Sequence, residues 1–138
     1  MEGANGIIRI NPIKADMDEE GGLFHRMHLG VHITVHGEAP WLSGLSEDSG
    51  HKCHWEAKHC DIESKHSGKI MTISVMDHDK EHGHMVEQLV GEVEMGVGTW
   101  LVPGEKEIEL FRKDKHGHAK KAGHLILTSE FIPIPTHH

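Results

Sequence analysis

Apolar and polar residues alternate along much of this chain, with the period of two that is typical of β-strands. The clearest case is the stretch HRMHLGVHITVH at 25–36, where alternate positions are apolar, namely Leu29, Val31, Ile33 and Val35. On a helix these four side chains would scatter around the axis, whereas on a strand they form one face. The pattern therefore predicts a half-buried strand whose histidines, at 28, 32 and 36, point outward.

The spacing of the histidines in this stretch also fits a stripe along a helix, which could collect metal ions. Residues four apart on a strand lie about 13 Å apart, whereas a zinc ion needs its ligands about 2 Å away. A row along one strand cannot surround an ion, so we interpret these histidines as a solvated face.

Similar alternating runs recur along the chain, separated by turns rich in Gly, Asp and His. They predict strands at 6–15, 29–36, 40–45, 53–62, 69–76, 89–95, 106–111 and 124–131. Pro12 indicates an edge strand or a bulge, because proline has no N–H to donate to a sheet. Only 96–101 has the character of a helical turn. Many short strands in 138 residues are typical of a single all-β sandwich domain.

Composition narrows the range of partners and locations. The formal charge is −8 with histidine neutral, which disfavours nucleic acid, although protonation of all 16 histidines would bring the charge to +8. We find no apolar run of about 18 residues and no signal-peptide pattern. Cys53 and Cys60 lie in one predicted strand, too far apart for a disulfide, and reduced thiols suit the cytoplasm.

The order of several motifs resembles that of C2 domains. The chain opens with GIIRINPIKA, an apolar strand that ends in Ala as in that family, and MHLGV stands where the family has Met-Asp-Pro-Tyr-Val. CHWEA loosely matches the motif Pro-x-Trp-Asn-Glu. The segment TISVMDHDKEHGHMVEQLVGEV is similar to the strand, Asp-x-Asp loop and Ile-Gly-Glu strand of the family, and KKAGHLILTSEFIPI to its closing Ala-Gly-x-Leu-x-Leu strand.

The resemblance implies an eight-stranded antiparallel Greek-key β-sandwich. It covers residues 6–133 of one domain at 1–138. It also implies a non-enzymatic role, peripheral to membranes or within a protein complex, with an anionic membrane surface or a partner protein as the binding partner. The residues agree with a non-enzymatic role, since the chain has no nucleophile elbow, phosphate-binding glycine loop or His-Glu-x-x-His motif.

The calcium site that the resemblance implies is degenerate. Residues at three of the ligand positions of the family are not acidic here, namely Gly22, His28 and Gln88. Calcium takes six to eight oxygen ligands, several of them charged. The remaining candidates for weak calcium binding are Asp77 and Asp79, by resemblance, together with Glu87 and Glu20. We therefore expect calcium-independent or weakly calcium-dependent binding.

Two groups of residues are candidates for membrane or partner contact. Apolar side chains on loop tips can enter the boundary of a bilayer, and those candidates are Leu23, Phe24, Met85 and Val86. Basic side chains attract anionic headgroups, and those candidates are Arg112, Lys113, Lys115, Lys120 and Lys121.

Two other functions stay open from the sequence. The first is a structural interaction subunit of a larger protein assembly that has lost lipid binding. The second is a histidine-rich domain that binds transition metals, with two His-Gly-His turns as its candidate ligands, namely His82, His84, His116 and His118.

Overall fold

The computed structural model describes residues 5–18, 28–81 and 84–135, and it gives the backbone alone at 79–81 and 84–86. Within these residues the chain forms strands β1 Gly6–Met17, β2 Leu29–Val35, β3 Trp41–Leu45, β4 Lys52–His54, β5 Cys60–Glu63, β6 Ile70–Glu81, β7 His84–Gly96, β8 Gly104–Lys113 and β9 Ala119–Pro133. Two short 3-10 helices lie at Ser64–His66 and Val97–Leu101. No helix in the described ranges is long and apolar enough to cross a membrane.

The strands form two antiparallel layers of one curled sheet. The first layer has the order β3-β2-β6-β7. The second has the order β8-β9-β1, with β4 and β5 both paired to the remaining edge of β1. A single residue pair, Glu92 with Phe111, joins β7 to β8 at the junction of the layers. This arrangement confirms the predicted antiparallel sandwich.

The alternation of apolar residues selects the side of each strand that faces the core. Met71, Ile73 and Val75 in β6 are fully buried, as are Leu125 and Leu127 in β9. Trp100 from the second 3-10 helix is also fully buried, and it is among the largest side chains of the core. The inward faces of both layers therefore meet in one apolar cluster.

One predicted strand, 53–62, is divided in the structure. Cys53 and Cys60 are both buried, although an uninterrupted strand would place them on opposite faces. The chain leaves the sheet between β4 and β5, where Ala57 adopts a φ of 53°. This break accounts for a ninth strand where eight were expected. Pro12 lies at a bulge in the pairing of β1 with β9, as its missing N–H predicted.

Candidate functional site

Several connections between strands meet at one end of the sandwich. Leu29 pairs with Asp77, so the start of β2 lies beside the last part of β6. Met17 pairs with Gly123, so the end of β1 lies beside the start of β9. Because β7 and β8 are antiparallel, the β6–β7 and β8–β9 turns are at this same end. We call it the loop end of the molecule.

Asp77 is a buried carboxylate at the loop end, with only 3% of its surface exposed. Its Oδ1 accepts a hydrogen bond of 2.9 Å from the backbone N–H of His28. The backbone N–H of His78 in turn donates to the carbonyl of His28, also at 2.9 Å. Asp77 thus helps to hold the segment that leads into β2 against β6.

Glu87 is on the other face of the same hairpin. It pairs with His78 across β6 and β7, and its Oε1 lies 2.5 Å from the Nε2 of that histidine. Asp77 faces inward, and adjacent residues of a strand face opposite sides. The structure therefore does not bring Asp77 and Glu87 together as calcium ligands. Glu20 and the side chain of Asp79 lie outside the described residues.

The turn between β8 and β9 is ordered by Asp114. Its Oδ1 accepts hydrogen bonds from the backbone N–H groups of His118 and His116, at 2.9 and 2.8 Å. These bonds lower the pKa of Asp114, the one from His118 most strongly. Gly117 completes the turn with a φ of 80°, in the left-handed region that glycine favours.

The basic residues of this hairpin differ in their surroundings. The ammonium of Lys120 lies 3.8 Å from a carboxylate oxygen of Asp114, and that of Lys121 lies 3.6 Å from one of Glu109. Lys113 and Lys115 are exposed and have no ion pair with any other described residue. These two lysines therefore present their charge to solvent most directly.

Several residues singled out in the sequence remain predictions. Leu23, Phe24 and His82 lie outside the described residues, as do the side chains of Met85, Val86 and His84. His116 and His118 are described and exposed, with ring centroids 6.5 Å apart.

The predicted solvated histidine face needs one correction. His28 and His36 are exposed, but the side chain of His32 is only 17% exposed. Burial lowers the pKa of His32, against the opposing effect of the nearby Glu87 carboxylate. The neighbouring strands cover the side chain of His32. The residue pattern within one strand does not reveal such burial.

A groove of about 470 Å³ lies on the second layer, with Lys14, Lys52 and Glu107 among its lining residues. Cys53 also lines it, but burial raises the pKa of its thiol to about 11. The thiolate is the reactive form of cysteine, so this residue is a poor nucleophile near neutral pH. The groove gives no support to a cysteine-based reaction.

Comparison with solved structures gives consistent matches. A C2 domain of plant extended synaptotagmin 1 matches with a TM-score of 0.72 at 15% identity, over 98% of this chain and all of that one. A calcium-bound structure of two C2 domains of extended synaptotagmin 2 matches at 0.65 and 18% identity, over 96% of this chain and 48% of that one. This chain has the fold of a C2 domain.

Human GIVD cytosolic phospholipase A2 also contains a region with this C2 fold. It matches with a TM-score of 0.64 at 12% identity, over 96% of this chain but only 18% of the phospholipase chain. No protein-family model and no curated protein matches the sequence. The resemblance that the sequence motifs suggested is thus confirmed as a likeness of fold.

Proposed function

We propose that this chain is a non-enzymatic C2-fold module that binds anionic membrane surfaces through its β8–β9 hairpin, without a requirement for calcium. The observation that carries the proposal is the pair of exposed lysines, Lys113 and Lys115, at the loop end. A basic residue close to an anionic membrane contributes about 1 kcal/mol. Arg112, Lys120 and Lys121 lie in the same hairpin.

Independence from calcium is supported by the chemistry of the loop end. Calcium requires several convergent carboxylate oxygens. Asp77 already accepts a backbone hydrogen bond, and Glu87 contacts His78 on the other face of the hairpin. Lysine charges, in contrast, attract phosphatidylserine without any ion.

A co-sedimentation assay with phosphatidylserine vesicles tests the role of the hairpin. The double variant Lys113→Glu/Lys115→Glu should bind at least about 10-fold more weakly than the wild type, because two contributions of about 1 kcal/mol are lost. The difference should shrink as salt rises. The matched control is Lys65→Glu/Lys69→Glu, which changes the net charge equally near the other end of β6.

Two results would contradict membrane binding through the hairpin. If the two double variants lose equal affinity, net charge governs binding and the hairpin has no special role. If the wild type binds no phosphatidylserine vesicles, membrane binding is not the function of this chain.

A second candidate function is that of a structural interaction subunit, and one observation favours it. Leu45 pairs with Gly30, Gly30 with Met76, and Met76 with Leu89, which forms a row across the outer face of the first layer. Leu45 and Leu89, at the two ends of this row, are 44% and 36% exposed, and exposed apolar surface of this kind can serve as a protein contact. Affinity capture that is lost in Leu45→Ser/Leu89→Ser, but kept in the hairpin variant, would support this candidate.

A further inference from the structure

Three potential metal ligands converge on the outer face of the first layer. They are His32 of β2, His78 of β6 and Glu87 of β7, and each offers one atom within 4.8 Å of the other two. The Nε2 of His78 lies 2.5 Å from Oε1 of Glu87, and the Nε2 of His32 lies 3.8 Å from the same oxygen. The two imidazole rings have centroids 6.0 Å apart.

A β-bulge brings Glu87 into this group. Val75 pairs with Gly91 and the next residue, Met76, pairs with Leu89, so Val90 is an extra residue in β7. If β7 continued as a regular strand with Val90 in the alternation, Glu87 would have the parity of Gly91 and face the core side. With the bulge, Glu87 is placed opposite His78 on the outer face. Bulges often re-aim a side chain in this way at functional sites.

The imidazole rings of His32 and His78 are largely covered, which is more typical of a binding site than of a free surface. Both histidine side chains are only 17% exposed, whereas the Glu87 side chain is 47% exposed and has room to move. Nδ1 of His78 is buried and has no hydrogen-bond partner in the described part of the chain. The contact through Nε2 with Glu87 is therefore what orients this ring.

We propose that His32, His78 and Glu87 form a binding site for a divalent transition ion of the Zn²⁺ type. Two imidazole nitrogens and one carboxylate are a common three-residue set for such ions, with a fourth position left for water or another ligand. Calcium and magnesium prefer oxygen ligands, so the nitrogen donors disfavour them.

The adjustment that binding requires is small. Two ligands that each lie about 2.0 Å from a tetrahedral ion are about 3.3 Å apart. The His78–Glu87 contact would lengthen from 2.5 Å and the His32–Glu87 contact would shorten from 3.8 Å. Each change is below about 1 Å on that geometry. Rotation of the exposed Glu87 side chain can supply these two changes, whereas the donor atoms of the two histidines, at most 4.8 Å apart, would approach each other by up to about 1.5 Å through rotation of their own rings.

The test is a calorimetric titration of the whole chain with Zn²⁺, at neutral pH and with excess calcium present. We expect one tight equivalent in the wild type. Its affinity should fall at least about 10-fold in His32→Gln, His78→Gln and Glu87→Gln, because loss of an outer-shell partner alone costs about 10- to 100-fold. The control is His116→Gln/His118→Gln, which removes the exposed pair and should keep the tight equivalent.

A second measurement on the wild type does not depend on how the variants fold. Adding one equivalent of Zn²⁺ should shift the imidazole ¹⁵N signals of His32 and His78 before those of His116 and His118. The absence of a tight equivalent, its equal loss in the control variant, or first shifts at other histidines would overturn the proposal.

Discussion

At the scale of single residues, Cys53 and Cys60 behave as small core side chains. They lie in β4 and β5, the two strands that pair with the same edge of β1, and are 5% and 4% exposed. Burial disfavours the charged thiolate and raises their pKa values to about 11 and about 12. Both thiols are free in the structure, as the sequence predicted.

Raising the pH from 8 to 10 should lower the free energy of unfolding. Thiols of the unfolded chain ionise near pH 9, whereas the folded thiols ionise near 11 and 12. Their contribution to stability is therefore complete below about pH 9 and is lost as the pH rises toward 12. At pH 10 the loss is about 1 kcal/mol per thiol. Urea unfolding measures it, and a Cys53→Ala/Cys60→Ala variant with an equally steep decline would contradict this cause.

Gly123 shows why the Ala-Gly pair of the closing strand suits this fold. Its φ is 152°, and an added Cβ would lie 2.5 Å from the carbonyl oxygen of Asp16 and 2.6 Å from Cα of Met17. Gly123→Ala should therefore reduce the free energy of unfolding by at least about 2 kcal/mol. Gly68→Ala is the matched control, since open space surrounds Gly68, and its effect should stay within about 1 kcal/mol. Similar urea midpoints for the two variants would refute the steric explanation.

At the scale of elements, the β8–β9 turn depends on one carboxylate. Asp114→Ala removes the acceptor for two backbone N–H groups, so the amides of His116 and His118 should exchange with solvent at least about 10-fold faster. Asp114→Asn keeps an oxygen at the same position and should exchange nearly as slowly as the wild type. Hydrogen exchange followed by NMR distinguishes them. Unchanged exchange in the alanine variant would show that the turn forms without this side chain.

The sequence predicted the strands of this fold, but it ended β6 at 76 and began β7 at 89, whereas these strands continue to Glu81 and start at His84 in place of the expected loop. It also did not predict the position of the bulge in β7. Period-two patterns located β2 and β6 because both strands have one face in the core. The same counting missed the bulge at Val90, since a bulge depends on the pairing with another strand. The cluster of His32, His78 and Glu87 was missed for this reason: its members come from three strands and one is re-aimed by the bulge.

At the scale of the whole molecule, charge is distributed unevenly. The formal charge of the chain is −8, yet the β8–β9 hairpin carries five basic residues at 112–121 beside Asp114. At physiological salt the Debye length is about 8 Å, so acidic groups elsewhere are largely screened from a membrane that touches the hairpin. A negatively charged protein can therefore still bind an anionic surface, provided that this end approaches first.

Membrane binding without calcium is tested most directly by the binding of the wild-type chain to phosphatidylserine vesicles, measured with chelator and with calcium. We predict the same bound fraction in both, because the lysines of the hairpin need no ion and calcium alone should bind at about 0.1 mM or more weakly. Vesicles of phosphatidylcholine alone should bind little in either condition. Binding that appears only with calcium, and that Asp77→Ala abolishes, would contradict calcium-independent membrane binding.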